Sequence, residues 1–502
     1  MQTLSAESVP SRCWTALQVQ KELVAEIERT QALLQERKRI ALTSPAGKRQ
    51  ERGLVNEGIM EVIMVNLNHH IYRCGPNESY DFSDEDLKNT DKLRKHIEPW
   101  LTAVFQSEHL SLLLGSGFTS GVASGAGGNA ANMTKCEWTD DLGLKEKVDE
   151  YAEQIAKVCG RGAANIEDQI RAAMQLEAGL TVMGNKRADL WKTEINKQLK
   201  CFMDSILDSE RSILCADTNK KQSADDLLVS FLLSFASRTA TRERLNLFTT
   251  NYDRFIEYGC DLAGVHVLDR FIGALSPVFR ASRLNIDIHY NPPGIRGEPR
   301  YLEGVIRLCK IHGSIDWRWE EKELRRYAVP FGAAADHPDI PKEPSGSVMI
   351  YPNPAKDIET LDYPYAELFR DFAAAVCRPN SSLVTYGYGF GDDHVNRVIK
   401  DMLTIPSTHL VIIAWDQTNP DKEDEPANVS RQRIIRFCQE VGKRAQISLL
   451  LGSHFGDLET LVQNYLPKPA IDQITIRKTK LEEQRGEGYK KTTGGGDDEQ
   501  AD

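Results

Sequence analysis

Asn251 and Asp253 stand two residues apart at the end of the apolar run Leu247-Phe248-Thr249-Thr250, and His312 ends a second run, Leu308-Cys309-Lys310-Ile311. In an extended backbone, residues two apart point to the same side. The amide and the carboxylate therefore enter one space together. An amide orients, a carboxylate accepts hydrogen bonds, and an imidazole that titrates near neutrality serves as a base. Such a set suits cleavage of a bond whose leaving group is already cationic. Each residue also has a plain structural reading. Asn251 would cap a helix opening near Asp253, Asp392 would cap another, and His312 would be a core histidine bonded to a backbone carbonyl.

Two glycine-rich strand exits accompany these residues. Leu110–Leu114 runs into Gly115-Ser116-Gly117, and Ser382–Tyr386 runs into Gly387-Tyr388-Gly389-Phe390-Gly391-Asp392-Asp393-His394. Glycine lets backbone N–H groups approach a phosphate closely. Alone the first exit also reads as a simple turn, and the full six-residue dinucleotide fingerprint is absent. No Gly-x-Ser-x-Gly elbow and no Gly-x-x-x-x-Gly-Lys-Ser/Thr loop occurs, which disfavours a serine hydrolase and a P-loop nucleotidase.

The elements that must hold these residues follow from periodicity. Further apolar runs at Leu247–Thr250, Val305–Ile311, Val348–Tyr351, Leu410–Trp415 and Ile447–Leu451 read as strands. Helical patterns at Tyr363–Val376 and His394–Leu403 supply crossovers, so the fold class is α/β with a parallel sheet. Each candidate group lies at the carboxyl end of a strand, where such sheets hold their ligands. From Leu142 to Ser237 the pattern is strongly helical and reads as an insertion. Trp14–Leu42 reads as an amphipathic helix suited to an oligomer contact, or to packing on its own domain. Met60–Tyr72 is a second predicted helix, and Ser83 with Asp86 resembles a capping box opening a third over Asp84–Trp100. The expected organisation is a helical region over 1–100, a main domain over 101–466 with a helical insertion at about 140–240, and a polar, disordered tail over 467–502.

Composition narrows the partners. A formal net charge of -11 gives no counterion-release attraction to DNA, so nucleic acid is expected only through a partner. None of the ten cysteines has zinc-chelating spacing, so no metal is expected. No signal-peptide pattern or membrane-length apolar run appears, so a cytoplasmic protein with reduced thiols is expected.

At this point the motifs resemble the sirtuin superfamily. Thr249-Thr250-Asn251-Tyr252-Asp253 is similar to the sirtuin Thr-Gln-Asn-x-Asp, and Lys310-Ile311-His312-Gly313-Ser314 to the stretch with the sirtuin catalytic histidine. With Ile350-Tyr351-Pro352, Tyr365-Ala366-Glu367-Leu368-Phe369-Arg370 and Gly387–Arg397, they look like the NADase subunit of bacterial antiphage sirtuin–HerA systems. The resemblance covers roughly residues 110–466. It implies a Rossmann-like sheet, NAD⁺ as substrate, and cleavage of the nicotinamide–ribose bond to ADP-ribose and nicotinamide. It also implies a homo-oligomer larger than a dimer and a HerA-type hexameric ATPase and DNA translocase as partner. By the same resemblance Asn251 would orient the ribose or the water, Asp253 would hold the carboxamide, and His312 would act as base. Gly115, Ser116, Gly117, Thr250, Gly313, Ser314, Gly387, Tyr388 and Gly389 would line the NAD⁺ site. The sirtuin zinc-binding Cys-x-x-Cys pairs and the Ala-Gly-Ile-Pro-x-Phe-Arg segment are missing, which argues against protein deacylation. That activity is one alternative, and a non-catalytic NAD- or ADP-ribose-binding subunit of a nuclease–translocase complex is another.

Overall fold

The computed structural model describes residues 70–468, apart from 76–79, 83–85, 132, 134, 140–142, 159–162, 239–241, 283–285, 291–299, 335, 347–362 and 417–425. The expected helix Trp14–Leu42, the strand Val348–Tyr351, the Ile350-Tyr351-Pro352 motif and the polar tail beyond 468 lie outside the described residues.

In chain order the main elements are β1 (His70–Arg73), β2 (Tyr80–Phe82), α1 (Thr90–Phe105), β3 (His109–Leu114) and α2 (Ser116–Gly125). A helical block follows: α3 (Lys145–Val158), α4 (Ile166–Val182), α5 (Arg187–Leu214) and α6 (Thr218–Ala236). The chain then returns to the sheet through β4 (Leu245–Thr249), α7 (Phe255–Ala263), β5 (His266–Leu268) and β6 (Val305–Lys310). It ends with α8 (Tyr365–Val376), β7 (Ser381–Tyr386), α9 (Asp393–Met402), β8 (His409–Ala414), α10 (Pro426–Val441) and β9 (Ile447–Leu451).

These strands form a nine-stranded sheet in the order β2-β1-β9-β8-β7-β3-β4-β6-β5. From β9 to β5 every pairing is parallel. The fold is thus the expected Rossmann-like α/β architecture. After β3 the chain builds outward on one side through β4 and β6, then crosses to the other side at β7. The switch point therefore lies between β3 and β7, where a crevice opens at the carboxyl ends of the strands. Strands β3, β4 and β7 are almost wholly buried, as expected for parallel strands covered on both faces. One core lies over the sheet around Leu112, Leu247 and Phe231, and a second fills the helical block around Trp191, Phe202 and Ile206.

Three expectations change. The end of the predicted helix Met60–Tyr72 is a strand: β1 pairs antiparallel with β9 and with β2, completing the edge of the sheet. The run His-Ile-Tyr-Arg is too short for its periodicity to separate the two forms. Ser83 is outside the described residues, and α1 is capped instead by Asn89, whose side chain accepts from Lys92 N. Finally, residues before 101 join the main sheet domain: β1 pairs with β9, and α1 packs Ile97 and Leu101 into the core over the sheet. No helix of the described residues is long and apolar enough to cross a membrane.

Candidate functional site

Thr249 ends β4 with its hydroxyl on Leu114 O of the neighbouring strand, at 3.0 Å, and accepts from Asn251 N, also at 3.0 Å. This turns the chain so that Asn251 faces β3. Its Nδ2 donates to Gly115 O and to Thr119 Oγ1, each at 2.9 Å. Thr119, one turn into α2, donates in turn to Asp253 Oδ2 at 2.5 Å. Asn251 therefore does not cap α7. Asp253 takes part of that role, accepting from Phe255 N at 3.3 Å. Both donors of the Asn251 amide are spent on the protein, and no described residue donates to its Oδ1.

Lys310, Ser314 and Ile315 clamp the backbone between the two strand ends. Lys310 Nζ donates to Asp253 O, Ser314 Oγ to Tyr252 O at 3.4 Å, and Ile315 N to Tyr252 O at 3.1 Å. His312 sits inside this clamp with its ring turned towards the cavity, and Gly313 (φ +92°) makes the turn behind it. Burial raises the Asp253 carboxyl above its usual range, while the Lys310 charge and the Thr119 hydrogen bond act in the opposite direction.

The cavity these residues line has a volume of about 270 Å³. Asn251, Asp253, His312 and Thr250 come to it from the sheet, with Gly115 and Ser116. The helical block supplies the facing wall through Asn165, Glu167, Phe202, Ile206 and Ser209. Tyr388 and Gly389 close one end and are shared, with Ser116, by a second cavity of about 640 Å³ that Gly117 and Gly387 also line. The two cavities thus adjoin at the glycine exits of β3 and β7.

The glycines have a structural task besides any contact with phosphate. A Cβ on Gly115 would lie 2.5 Å from Gly387 O, and one on Gly387 would lie 2.7 Å from Gly117 Cα. Gly387 also has φ +63°. The two exits touch backbone to backbone, and only glycine permits that approach. Gly313 and Ser314 are not among the lining residues. Ser314 is fully buried and donates to Tyr252 O within the clamp.

Several participants escaped the sequence reading. Thr119 bridges Asn251 and Asp253 but follows no motif. Glu210, fully buried on α5, binds Arg254 through Oε2–Nη2 at 2.6 Å and Oε1–Nε at 3.1 Å, and accepts from Arg254 N at 3.0 Å. Burial works against the Arg254 charge, yet the Glu210 hydrogen bonds and charge outweigh it and hold its pKa above the ordinary value. This pair fastens the helical block to the residue that follows Asp253. Asp392 occupies the cap position of α9, but its side chain makes no capping hydrogen bond. It lies instead with His394 beside His312, with 3.1 Å between the two Nε2 atoms. A search for cysteine pairs cannot see such a group.

Residues 245–436 match a family model described as a SIR2-like domain. The match begins at β4 and takes in Asn251, Asp253, His312 and the Gly387–His394 exit. It supports a sirtuin-like family member and fits an NAD-related activity. No curated protein matches the chain.

Proposed function

We propose that the protein is an NAD⁺ glycohydrolase: NAD⁺ and water give ADP-ribose, nicotinamide and a proton. The observation that carries this reading is the convergence of Asn251, Asp253 and His312 from two adjacent strand ends onto one cavity that shares Ser116, Tyr388 and Gly389 with a second. Nicotinamide in NAD⁺ is a pyridinium and leaves neutral, so the site needs no general acid. It needs a held ribose, a placed water and a base.

His312 takes the proton from the attacking water or from a ribose hydroxyl. Asn251, locked through Nδ2, presents Oδ1 to the ribose or the water. Asp253 accepts from the carboxamide N–H₂ of nicotinamide, and its own geometry is fixed by Thr119 and Phe255 N. Ser116, Tyr388 and Gly389 stand where the two chambers meet, which suits the pyrophosphate, and Gly117 and Gly387 flank the adenosine chamber. The Cys-x-x-Cys pairs of the sirtuin deacylases are missing from the sequence, and Phe202 and Ile206 of the helical block line the cavity opposite Asn251. That favours water over an acyl-lysine as the acceptor.

By its sequence resemblance the protein acts in bacterial antiphage defence, depleting NAD⁺ in the cytoplasm as a homo-oligomer larger than a dimer. Its partner in this reading is a HerA-type hexameric translocase. The test is to incubate purified full-length protein with NAD⁺, with and without that translocase, and to follow nicotinamide and ADP-ribose. Equimolar release without any acyl-peptide supports the reading. Release only when an acyl-lysine peptide is present would make the protein a deacylase, and tight NAD⁺ binding without release would make it a binding subunit.

A further inference from the structure

We infer that His312, Asp392 and His394 form a binding site for one divalent transition-metal ion of the zinc class, and that its occupancy silences the base of the proposed NAD⁺-cleaving site. The second half rests on that functional reading; the first does not. One ligand atom from each residue lies within 4.8 Å of the other two. The closest pair, His312 Nε2 and His394 Nε2, is 3.1 Å apart. Two nitrogens each about 2.0–2.1 Å from a zinc ion lie about 3.3 Å apart at a tetrahedral angle and about 2.9 Å apart at a right angle. The observed separation falls between these values, so the rings need only small adjustments to share an ion. Two imidazoles and one carboxylate are the donors of open zinc and other late first-row sites, and they select against the all-oxygen preference of Mg²⁺ and Ca²⁺.

The frame around the donors is firm. His312 is 4 % exposed and held between the Lys310 and Ser314 clamps. Asp392 and His394 are half-buried, and Asp392 lines the same cavity as His312. Phe390 adopts φ +52°, with its ring packed between Tyr388 and Phe437 and its carbonyl bonded to Asn396 Nδ2 at 3.0 Å. A left-handed aromatic residue is costly and persists only where its surroundings impose it. Here it carries the chain back so that Asp392 and His394 reach His312. The Phe369 ring lies edge-on to His394 with centroids 4.8 Å apart, fixing the second imidazole.

The consequence is direct. A metal at this site occupies the Nε2 lone pair of His312, the pair that would otherwise accept a proton. The ion would hold the site closed until it is withdrawn or displaced. The expectation of no metal came from cysteine spacing, which is silent about a set drawn from two loops eighty residues apart.

The experiment is titration of chelator-treated full-length protein with Zn²⁺ and Co²⁺, read by calorimetry, elemental analysis and the Co²⁺ visible spectrum. Wild type is compared with His394→Ala and Asp392→Asn, each checked for native circular dichroism. The expected result is one ion per chain, a Co²⁺ spectrum without sulfur charge transfer, and binding weakened in both variants by more than the roughly 10–100-fold typical of outer-shell changes. Equal binding by all three proteins, or a thiolate band, would assign the ion to cysteines and overturn the site. In a parallel assay, saturating Zn²⁺ should slow nicotinamide release at least about tenfold, and chelator should restore it. Unchanged turnover with the ion bound would overturn the silencing. If the protein cleaves no NAD⁺ at all, the functional reading fails while the titration still decides the site.

Discussion

The sheet and the helical block meet across one cavity and contribute to it differently. From the sheet come groups held by hydrogen bonds: Asn251 Nδ2 by Gly115 and Thr119, Asp253 by Thr119 and Phe255, the peptide between them by Lys310 and Ser314. From the block come the apolar Phe202 and Ile206, beside Asn165, Glu167 and Ser209, backed by a core around Trp191 that also takes in Tyr252 and Ile315. The two are joined by polar and apolar contacts alike: Glu210 binds Arg254, the Tyr252 ring meets Phe202 at 5.9 Å, and Phe231 of α6 packs into the core over the sheet. In the proposed reaction the chemical groups thus come from the sheet, and the block supplies the facing wall. Losing a sheet group should abolish the reaction and leave the fold, whereas losing a joint should cost stability first.

His312→Ala draws this contrast most sharply. Removal of a general base lowers turnover by about 10²–10⁴-fold, and the residue lines a cavity, so the fold should persist. Nicotinamide release and thermal melting measured together decide it. Full activity in a well-folded variant would take His312 out of the mechanism.

Glu210→Ala should do the reverse. It leaves the buried Arg254 guanidinium without its carboxylate, and removing one partner of a buried pair costs about 3–5 kcal/mol. Denaturant unfolding should show that loss, with activity failing as the block detaches from the strand end. A loss below about 1 kcal/mol, in the range of surface ion pairs, would mean that the joint is unimportant.

Gly387→Ala tests the sheet's own joint. The new methyl would meet Gly117 and Phe118 backbone at 2.7 Å from a left-handed φ. Strain and overpacking together should cost about 1–3 kcal/mol, with a higher KM for NAD⁺ as the two chambers move apart. An unchanged melting point and KM would show that the two exits separate freely.

How far the sequence reveals this arrangement depends on how local each signal is. Leu110–Leu114 and Leu247–Thr250 announce buried strands because apolar runs of that length, ended by polar residues and glycine, have few other uses. Asn251, Asp253 and His312 were legible for the same reason, as polar residues at such ends. Thr119 was not, because a threonine in the first turns of a helix carries no mark of the two side chains it bridges. Asp392 and His394 stood in a visible motif, but that they meet His312 follows from the crossing of β7 to the far side of β3, which periodicity does not encode. His70–Arg73 misled because four residues cannot show a period. That Ser314 Oγ turns onto Tyr252 O is likewise not marked by its position in a motif.

The smallest effect concerns Asp253, where function and stability pull apart. Its carboxyl titrates above the ordinary range because burial disfavours the charge, and Lys310 and Thr119 only partly compensate. Lys310 Nζ itself sits on the Asp253 carbonyl and pairs with Glu257 at 3.1 Å, so its help to the carboxylate is indirect. With the folded value above the unfolded one, near 3.9, the fold binds the proton more tightly than the unfolded chain does. The contribution to stability is then favourable below about pH 3.9 and is lost as pH rises through the folded value. At neutral pH the ionised group costs stability. Asp253→Asn keeps the shape, can still accept from Phe255 N, and can donate to Thr119. It should therefore melt at or above the wild-type temperature at pH 7, with the difference shrinking as pH is lowered towards 4, while nicotinamide release falls. A variant that melts below wild type at pH 7 would show that the carboxylate is favoured where it sits. Asp253 would then belong with the structural joints, and the contrast between a sheet that carries chemistry and a block that carries shape would lose one of its three supports.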